Sequence, residues 1–207
     1  FLSGGDTVFS NKLSFTITSI GFSNKIVYRN KAKINDDVYV SGNLGDSYLG
    51  LLVLKKKIKL KKSLMNYFIS QYFKPCIQPK LADHIKRFAN TSIDISDGLL
   101  ADLQKLINTQ KFSYKLYLNK IPISTNLRKV LSQKNLSKVN YISNGDDYQI
   151  LFTSSKNKRG IIKKIASKYR IKLTKIGSIQ NLTKKSLLVD YNDIKLSLKN
   201  KGYFHKF

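Results

Sequence analysis

The nine residues Ser92-Ile93-Asp94-Ile95-Ser96-Asp97-Gly98-Leu99-Leu100 predict a strand that turns directly into a helix. Alternate side chains of a strand face opposite sides, so we expect Ile93 and Ile95 to face a core and Asp94 to face away. Asp97 then lies at the turn, where the backbone N–H groups that begin a helix gather partial positive charge. The segment therefore predicts a strand–helix unit that presents two carboxylates close to one turn.

Apolar spacing extends this unit in both directions along the chain. Five aliphatic side chains at helical spacing predict a helix that begins at Asp97: Leu99, Leu100, Leu103, Leu106 and Ile107. Alternating apolar residues predict further strands at residues 12–20, 37–40, 114–118, 148–153, 173–179, 186–189 and 194–198. Amphipathic spacing predicts further helices from residue 45 and at residues 62–72, 80–89, 125–131 and 161–169. This mixture predicts an α+β (mixed α/β) domain.

The charge balance raises a first functional hypothesis. The 207 residues carry a net charge of +26, from 38 Lys and Arg against 12 Asp, and there is no Glu. Such a balance is typical of proteins that bind nucleic acid. However, the lysines are spread over nearly every segment, and arginine, the better reader of phosphates and bases, is scarce. We therefore interpret most lysines as solvated surface and expect no specific nucleic-acid partner, only a weak affinity for polyanions.

Several classes of protein are disfavoured by what the chain contains. The one cysteine, Cys76, cannot form an internal disulfide, and a zinc site needs more Cys or His ligands than this chain has. His84 and His205 lie far from any candidate nucleophile, which argues against a Ser-His or Cys-His site. The longest apolar stretch, residues 48–54, is too short to span a bilayer. We expect a cytoplasmic protein without a membrane partner, whose chain starts at Phe1 in the middle of a fold.

Aspartate adjoins glycine at four places: Gly5-Asp6, Gly45-Asp46, Asp97-Gly98 and Gly145-Asp146-Asp147. One such pair is typical of an ordinary turn. Four of them in a chain without glutamate indicate a site that needs compact carboxylates. Magnesium bound with phosphate is the natural candidate, because this ion prefers hard oxygen ligands. An alternative for Asp97 is a helix cap, whereas Asp94 on a polar strand face is harder to explain by structure alone.

Six segments resemble, in order along the chain, those of the thiamine-monophosphate kinase family. They are residues 4–7 (GGDT), 37–47 (DVYVSGNLGDS), 94–99 (DISDGL), 145–153 (GDDYQILFT), 175–179 (KIGSI) and 201–207 (KGYFHKF). The resemblance implies a PurM-like C-terminal domain at residues 29–207, preceded at residues 1–28 by a remnant of the N-terminal ATP-binding domain. It also implies that ATP phosphorylates thiamine monophosphate with the help of Mg²⁺, in a protein that is a homodimer when intact.

The same resemblance implies roles for eight residues. Nucleotide contacts are implied for Gly5, Asp6, Arg29 and Ser96, magnesium ligation for Asp6, Asp94 and Asp97, and substrate contacts for Asp146 and Tyr203. Packing of Tyr203 against the C-terminal part of the fold and surface exposure of Arg29 are the structural alternatives. The chain departs from the family pattern at Asn144, which replaces a glycine, and after Arg29, where the usual glycine- and proline-bearing turn is interrupted.

Three rival interpretations remain at this point. The first is another member of the AIR-synthase-related superfamily, which would share ATP and magnesium but differ in substrate. The second is a basic RNA-binding protein, which would show a steep dependence of binding on salt. The third is an inactive fragment, because the family's upstream aspartate-rich segment is missing from these 207 residues.

Overall fold

The computed structural model describes residues 4, 5, 7, 9, 11–182, 185–190 and 192–196, and these residues form one six-stranded sheet. In chain order the strands are β1 (Asp37–Ser41), β2 (Thr91–Asp94), β3 (Phe112–Tyr117), β4 (Ile150–Ser154), β5 (Leu173–Asn181) and β6 (Leu187–Val189). They lie side by side in the order β2-β4-β1-β5-β3-β6. Neighbours are antiparallel except β3 and β6, which are parallel.

The described residues also form seven α-helices, all of them in connections between strands. They are α1 (Asp46–Leu54), α2 (Lys62–Phe73), α3 (Pro79–Ile85), α4 (Leu99–Leu106), α5 (Thr125–Gln133), α6 (Lys138–Ile142) and α7 (Arg159–Tyr169). Single 3₁₀ turns lie at Leu118–Lys120 and Lys156–Lys158. Within the described ranges, no helix is both long enough and apolar enough to cross a membrane.

Apolar side chains pack on both faces of the sheet. The central strand β1 is buried along its whole length, as expected for a strand covered on two sides. Val38 and Val40 face the larger core, which also contains Phe68 of α2 and Leu103 of α4. The confirmed α+β class follows from this arrangement of one sheet between helices.

The opposite face of the sheet carries a smaller core. Tyr39 points to this side and stacks on Phe152, with ring centroids 5.2 Å apart. Leu81 of α3 and Ile162 of α7 complete the contact. The alternation of Val38, Tyr39 and Val40 between two cores therefore disfavours a one-residue slip of β1 against β4, where the register is regular.

The strand predicted at residues 12–20 is wrong. Leu13, Phe15 and Ile17 alternate as expected, but they are 82–89% exposed and the segment has no regular secondary structure. An alternating pattern gives a strand only where a neighbouring strand supplies hydrogen bonds and an apolar face. In the part of the chain that the structure describes, no strand lies beside this segment.

The end of the chain also differs from expectation. Instead of the strand predicted at residues 194–198, Lys195 makes a single antiparallel bridge to Val189, and residues 197 and 198 lie outside the described residues. The helix predicted from Asp97 begins two residues later, at Leu99. The proposed domain boundary between residues 28 and 29 stays a prediction.

Candidate functional site

The turn between β2 and α4 is built around Gly98. Its φ of 120° is a conformation that L side chains rarely adopt, and a Cβ at this position would overlap the carbonyl oxygen of Ser143. Gly98 therefore takes the position before the first residue of α4, and Asp97 does not cap the helix as one alternative had predicted. The side chain of Asp97 is free to face outward, where it is 18% exposed.

Asp102, in the first turn of α4, satisfies the backbone of the turn between β2 and α4. One oxygen of its buried carboxylate accepts from the N–H groups of Ser96, Asp97 and Gly98 at 3.0, 2.9 and 3.1 Å. Three N–H groups of this turn are therefore already engaged by Asp102 and are not available to a ligand. Asp102 escaped the sequence analysis, although an acidic residue in the first turns of a helix is a recognisable capping signal.

A cavity of about 480 Å³ opens beside this turn. It is lined by α1, by the β2–α4 turn and by the loop that leads into β4, through Tyr48, Leu51, Ser96, Asp97, Asn144, Gly145, Asp146 and Tyr148. Three segments that are remote in sequence thus meet around one space. Two of them were singled out by the sequence, whereas the contribution of Tyr48 and Leu51 was not predicted.

The loop and the turn are joined through their main chains. Asp146 N–H donates to the carbonyl of Ser96 at 2.9 Å, and Tyr148 N–H donates to the carbonyl of Ile95 at 2.9 Å. Gly145 lies so close that a Cβ would overlap the Ser96 carbonyl oxygen. Asp146 and Tyr148 have φ values of 63° and 50°, so the loop holds both side chains in an uncommon left-handed backbone conformation.

The electrostatics of the cavity favour a cation. Burial and then the charge of Asp97 raise the pKa of Asp146, while Lys55 partly opposes this effect. Burial and the charges of Asp146 and Asp94 raise the pKa of the Tyr148 phenol. Two carboxylates that share a partly buried space repel each other, and a bound cation would relieve that repulsion.

Asp94 lies at the end of β2, close to this cavity but not in its wall. Its side chain is exposed, as the strand pattern predicted, and it lines a separate cleft of about 700 Å³ against residues 22–27. The structure thus brings Ser96, Asp97 and Asp146 together and leaves Asp94 next to them. In the described ranges, no three His, Cys or Asp side chains are close enough to form a metal site by themselves.

The remaining predicted residues fall elsewhere. Asp6 and Tyr203 lie outside the described residues, and Gly5 is exposed with nothing within 4 Å of its Cβ position. Arg29 is exposed, and its neighbour Asn30 donates to the carbonyl of Leu106 at the far end of α4, about 12 Å along the helix from Asp97. The roles of these four residues stay predictions.

Asp147 is a buried carboxylate whose position the sequence did not reveal. It accepts from the N–H of Gly45 at 2.8 Å, immediately before α1. Burial raises its pKa well above the ordinary value, against backbone hydrogen bonds from Gly45 and Ser47 that lower it. Asp147 therefore attaches the start of α1 to the loop that carries Asp146, and so fixes two walls of the cavity relative to each other.

Lys105 was also missed, and it pairs with one acidic residue of α4 and with one of the preceding turn. Its ammonium forms ion pairs with Asp97 and, at 3.1 Å, with Asp102. The spacing of three residues between Asp102 and Lys105 is typical of a salt bridge within a helix. The additional ion pair with Asp97 depends on the conformation of the turn that Asp102 stabilises, and the spacing does not indicate it.

The thiamine-monophosphate kinase of Buchnera aphidicola subsp. Acyrthosiphon pisum (strain APS) is 36% identical over an alignment of 208 positions that covers 99% of this chain. The chain is homologous to thiamine-monophosphate kinases. It spans 63% of the length of this relative. No protein-family model matches the chain.

Solved structures agree with this kinship. A structure of AaThiL complexed with AMPPCP and TMP has a TM-score of 0.71 at 27% identity, covering 88% of this chain and 55% of that one. HypE of E. coli, a hydrogenase maturation protein, has a TM-score of 0.59 at 12% identity, covering 86% of this chain and 53% of that one, and supports the fold alone. The predicted PurM-like fold is confirmed by these neighbours.

Proposed function

We propose that the chain acts as a thiamine-phosphate kinase, which transfers the γ-phosphoryl group of ATP to the phosphate of thiamine monophosphate and forms thiamine diphosphate. The observation that carries this proposal is the cavity in which Asp97 and Asp146 face one space between Tyr48 and Tyr148. Support comes from the kinship with thiamine-monophosphate kinases and from the likeness to AaThiL, whose solved complex contains AMPPCP and TMP.

The carboxylates suit a hard divalent cation. Asp97 faces the cavity, Asp94 lies at the end of the adjoining strand, and Asp6 is the third residue that the family resemblance implies. We propose that these three residues hold Mg²⁺, with Asp146 contributing its negative charge nearby. Magnesium, when bound, would supply charge neutralisation between the phosphates of the nucleotide and the acceptor.

The aromatic and acidic walls suit the thiamine part of the acceptor. Thiamine carries a positively charged thiazolium ring, and aromatic faces together with a carboxylate are favourable surroundings for such a cation. Tyr48 and Tyr148 border the cavity, and the left-handed backbone at Asp146 presents that side chain to the same space. We propose that Asp146 contacts thiamine monophosphate, with Tyr203 as the additional substrate contact implied by the family.

In this proposal the residues of the chain attract and orient the two phosphorylated substrates, and they need not supply a nucleophile. The attacking atom in this reaction is a phosphate oxygen of the substrate itself, so no activated Ser, Cys or His is required. The main-chain bonds between Ser96 and Asp146 hold the two sides of the cavity at a fixed spacing. The excess of lysine raises the local concentration of anionic substrates.

The first test is the formation of thiamine diphosphate from ATP and thiamine monophosphate by the 207-residue chain, followed by chromatography. At limiting Mg²⁺ we expect Asp97→Asn to lower the rate about 100-fold, because one charge of the metal site is lost, and excess Mg²⁺ to restore part of it. Asp193→Asn is the matched control, since Asp193 is 62% exposed and pairs with Lys115. A D97N rate equal to that of the wild type at limiting Mg²⁺ would contradict the ligand role.

The same assay separates the rival functions. Another ATP-dependent member of the superfamily would leave thiamine monophosphate unchanged and form no thiamine diphosphate. A basic RNA-binding protein would retain RNA with a steep salt dependence and would not bind thiamine monophosphate. We further propose that the intact protein is a homodimer, which sedimentation of the purified protein would check. We also propose a cytoplasmic location.

A further inference from the structure

The ion pair between Lys105 and Asp97 places a cation where the proposed function needs a metal. Asp97 lines the cavity, and the Lys105 ammonium contacts its carboxylate directly. A second contact, at 3.1 Å, joins the same ammonium to Asp102. One lysine thus pairs with two acidic residues at the edge of the cavity and leaves one negative charge uncompensated.

The two carboxylates that hold Lys105 are not equivalent. Asp102 is 1% exposed, and its other oxygen accepts three backbone N–H groups, so it cannot turn away from the helix. Asp97 is 18% exposed, faces the cavity, and accepts the Lys105 ammonium as its one side-chain hydrogen bond among the described contacts. A competing cation in the cavity can therefore take over Asp97 but not Asp102.

Lys105 itself is able to move. Its side chain is 41% exposed and belongs to the last turn of α4, so release from Asp97 leaves the helix intact. After another cation has bound Asp97, the ion pair with Asp102 still keeps the Lys105 ammonium close to the edge of the cavity. A single ammonium also attracts a carboxylate more weakly than a divalent ion at the same distance, which sets the direction of the exchange.

We propose that Lys105 is a displaceable counter-ion: it occupies Asp97 until a divalent cation replaces it, and its released ammonium then binds a phosphate oxygen of the incoming polyanion. This inference rests on the proposed function for the metal and adds a role for a residue that the family resemblance did not assign. Lys105 is a positioning and phosphate-binding residue in this account, and it takes no part in bond making.

The exchange predicts effects of opposite sign on two ligands. Removing the ammonium removes a competitor of the metal, so Lys105→Met should bind Mn²⁺ more tightly than the wild type in the absence of nucleotide. Removing the same ammonium also removes a phosphate contact, so the variant should bind tripolyphosphate more weakly when Mn²⁺ is saturating. A merely structural role for Lys105 would weaken both ligands together.

The experiment measures the affinity for Mn²⁺ by electron paramagnetic resonance and that for tripolyphosphate by calorimetry, on the 207-residue chain. We expect K105M to bind Mn²⁺ about fivefold more tightly and tripolyphosphate about fivefold more weakly. Lys105→Arg keeps the charge and should stay close to the wild type for both ligands. Lys164→Met is the matched control for the loss of one positive charge, because Lys164 is exposed on α7 and does not line the cavity.

The outcomes separate this inference from the proposed function. If the wild type binds Mn²⁺ and tripolyphosphate but K105M binds Mn²⁺ equally or more weakly, the displacement account is overturned and the kinase proposal stands. If the wild type binds neither ligand, both are overturned. An equal gain in Mn²⁺ affinity for K164M would reduce the effect to net charge and would also overturn the role of Lys105.

Discussion

Two helices enter the candidate site with their N-terminal ends, and each begins in the same unusual way. Both α1 and α4 follow a glycine with positive φ, 90° at Gly45 and 120° at Gly98, and in both cases the N–H of that glycine donates to a buried carboxylate. For α4 this carboxylate is Asp102, four residues along the same helix. For α1 it is Asp147, which is 102 residues away from Gly45.

The difference between these two caps separates local from long-range order. Asp102 stabilises a turn that its own helix creates, so its contribution depends on a few consecutive residues. Asp147 stabilises a junction between α1 and the loop beside Asp146, so it also fixes the shape of the cavity. A change at either cap should affect stability, but only the distant cap should affect ligand binding strongly through geometry.

The largest effect is expected at Gly98, one of the two glycines that precede the helices. Gly98→Ala would place a Cβ against the backbone carbonyl of Ser143, which cannot yield easily, and should lower the free energy of unfolding by about 4 kcal/mol. Gly45→Ala would meet side-chain atoms of Leu127 and Tyr141 at 3.0 Å and should cost about 2 kcal/mol. Urea denaturation of the two variants would measure both. Equal losses of unfolding free energy would contradict the expectation that the backbone before α4 tolerates a side chain less well than the backbone before α1.

A somewhat smaller effect is expected from the carboxylate caps. Asp102→Ala leaves three N–H groups without their acceptor and should lower the free energy of unfolding by about 3 kcal/mol. Asp147→Ala should lower it by only about 2 kcal/mol, because the variant also removes a carboxylate whose burial is itself unfavourable. The affinity for thiamine monophosphate, measured by calorimetry at a temperature where both variants are folded, should fall more for Asp147→Ala. A larger loss of affinity for Asp102→Ala would reverse the comparison.

The smallest effect concerns α6, which begins with a cation in place of an anion. Lys138 donates to the carbonyls of Leu118 and Ile121 at 2.7 and 2.5 Å, and burial, with Arg128 and Lys172 nearby, lowers its pKa to about 8. Because the folded state releases this proton before the unfolded state does, the wild type should gain stability relative to Lys138→Met as the pH rises from 8 to 10.5. We expect a gain of about 1 kcal/mol after allowing for partial exposure, measured by urea denaturation. A difference that is flat over this pH range would contradict the lowered pKa.

The sequence predicts well whatever depends on neighbours along the chain. Alternation correctly placed Ile93 and Ile95 in the core and Asp94 outside, and helical spacing found the apolar face of α4. The same alternation failed at Leu13, Phe15 and Ile17, because a strand also requires a partner that no local pattern encodes. Fold class and most elements were therefore predictable, and pairing was not.

The candidate site shows the same limit. The carboxylates of Asp97 and Asp146 were found because aspartate beside glycine marks a turn that can expose a charged group. Asp147, next to Asp146 in the same motif, could not be distinguished from it, although one faces the cavity and the other is buried under α1. Which way each side chain points is decided by the left-handed backbone at Asp146, and that depends on contact with Ser96.

The joint between the Gly145 loop and the β2–α4 turn uses only backbone atoms: two N–H donors, two carbonyl acceptors and a glycine without a side chain. Surface side chains can consequently change in size and charge while the walls keep their spacing. A chain enriched in lysine to the extent seen here can thus keep these two walls in place, since their spacing is set by peptide groups and not by surface side chains.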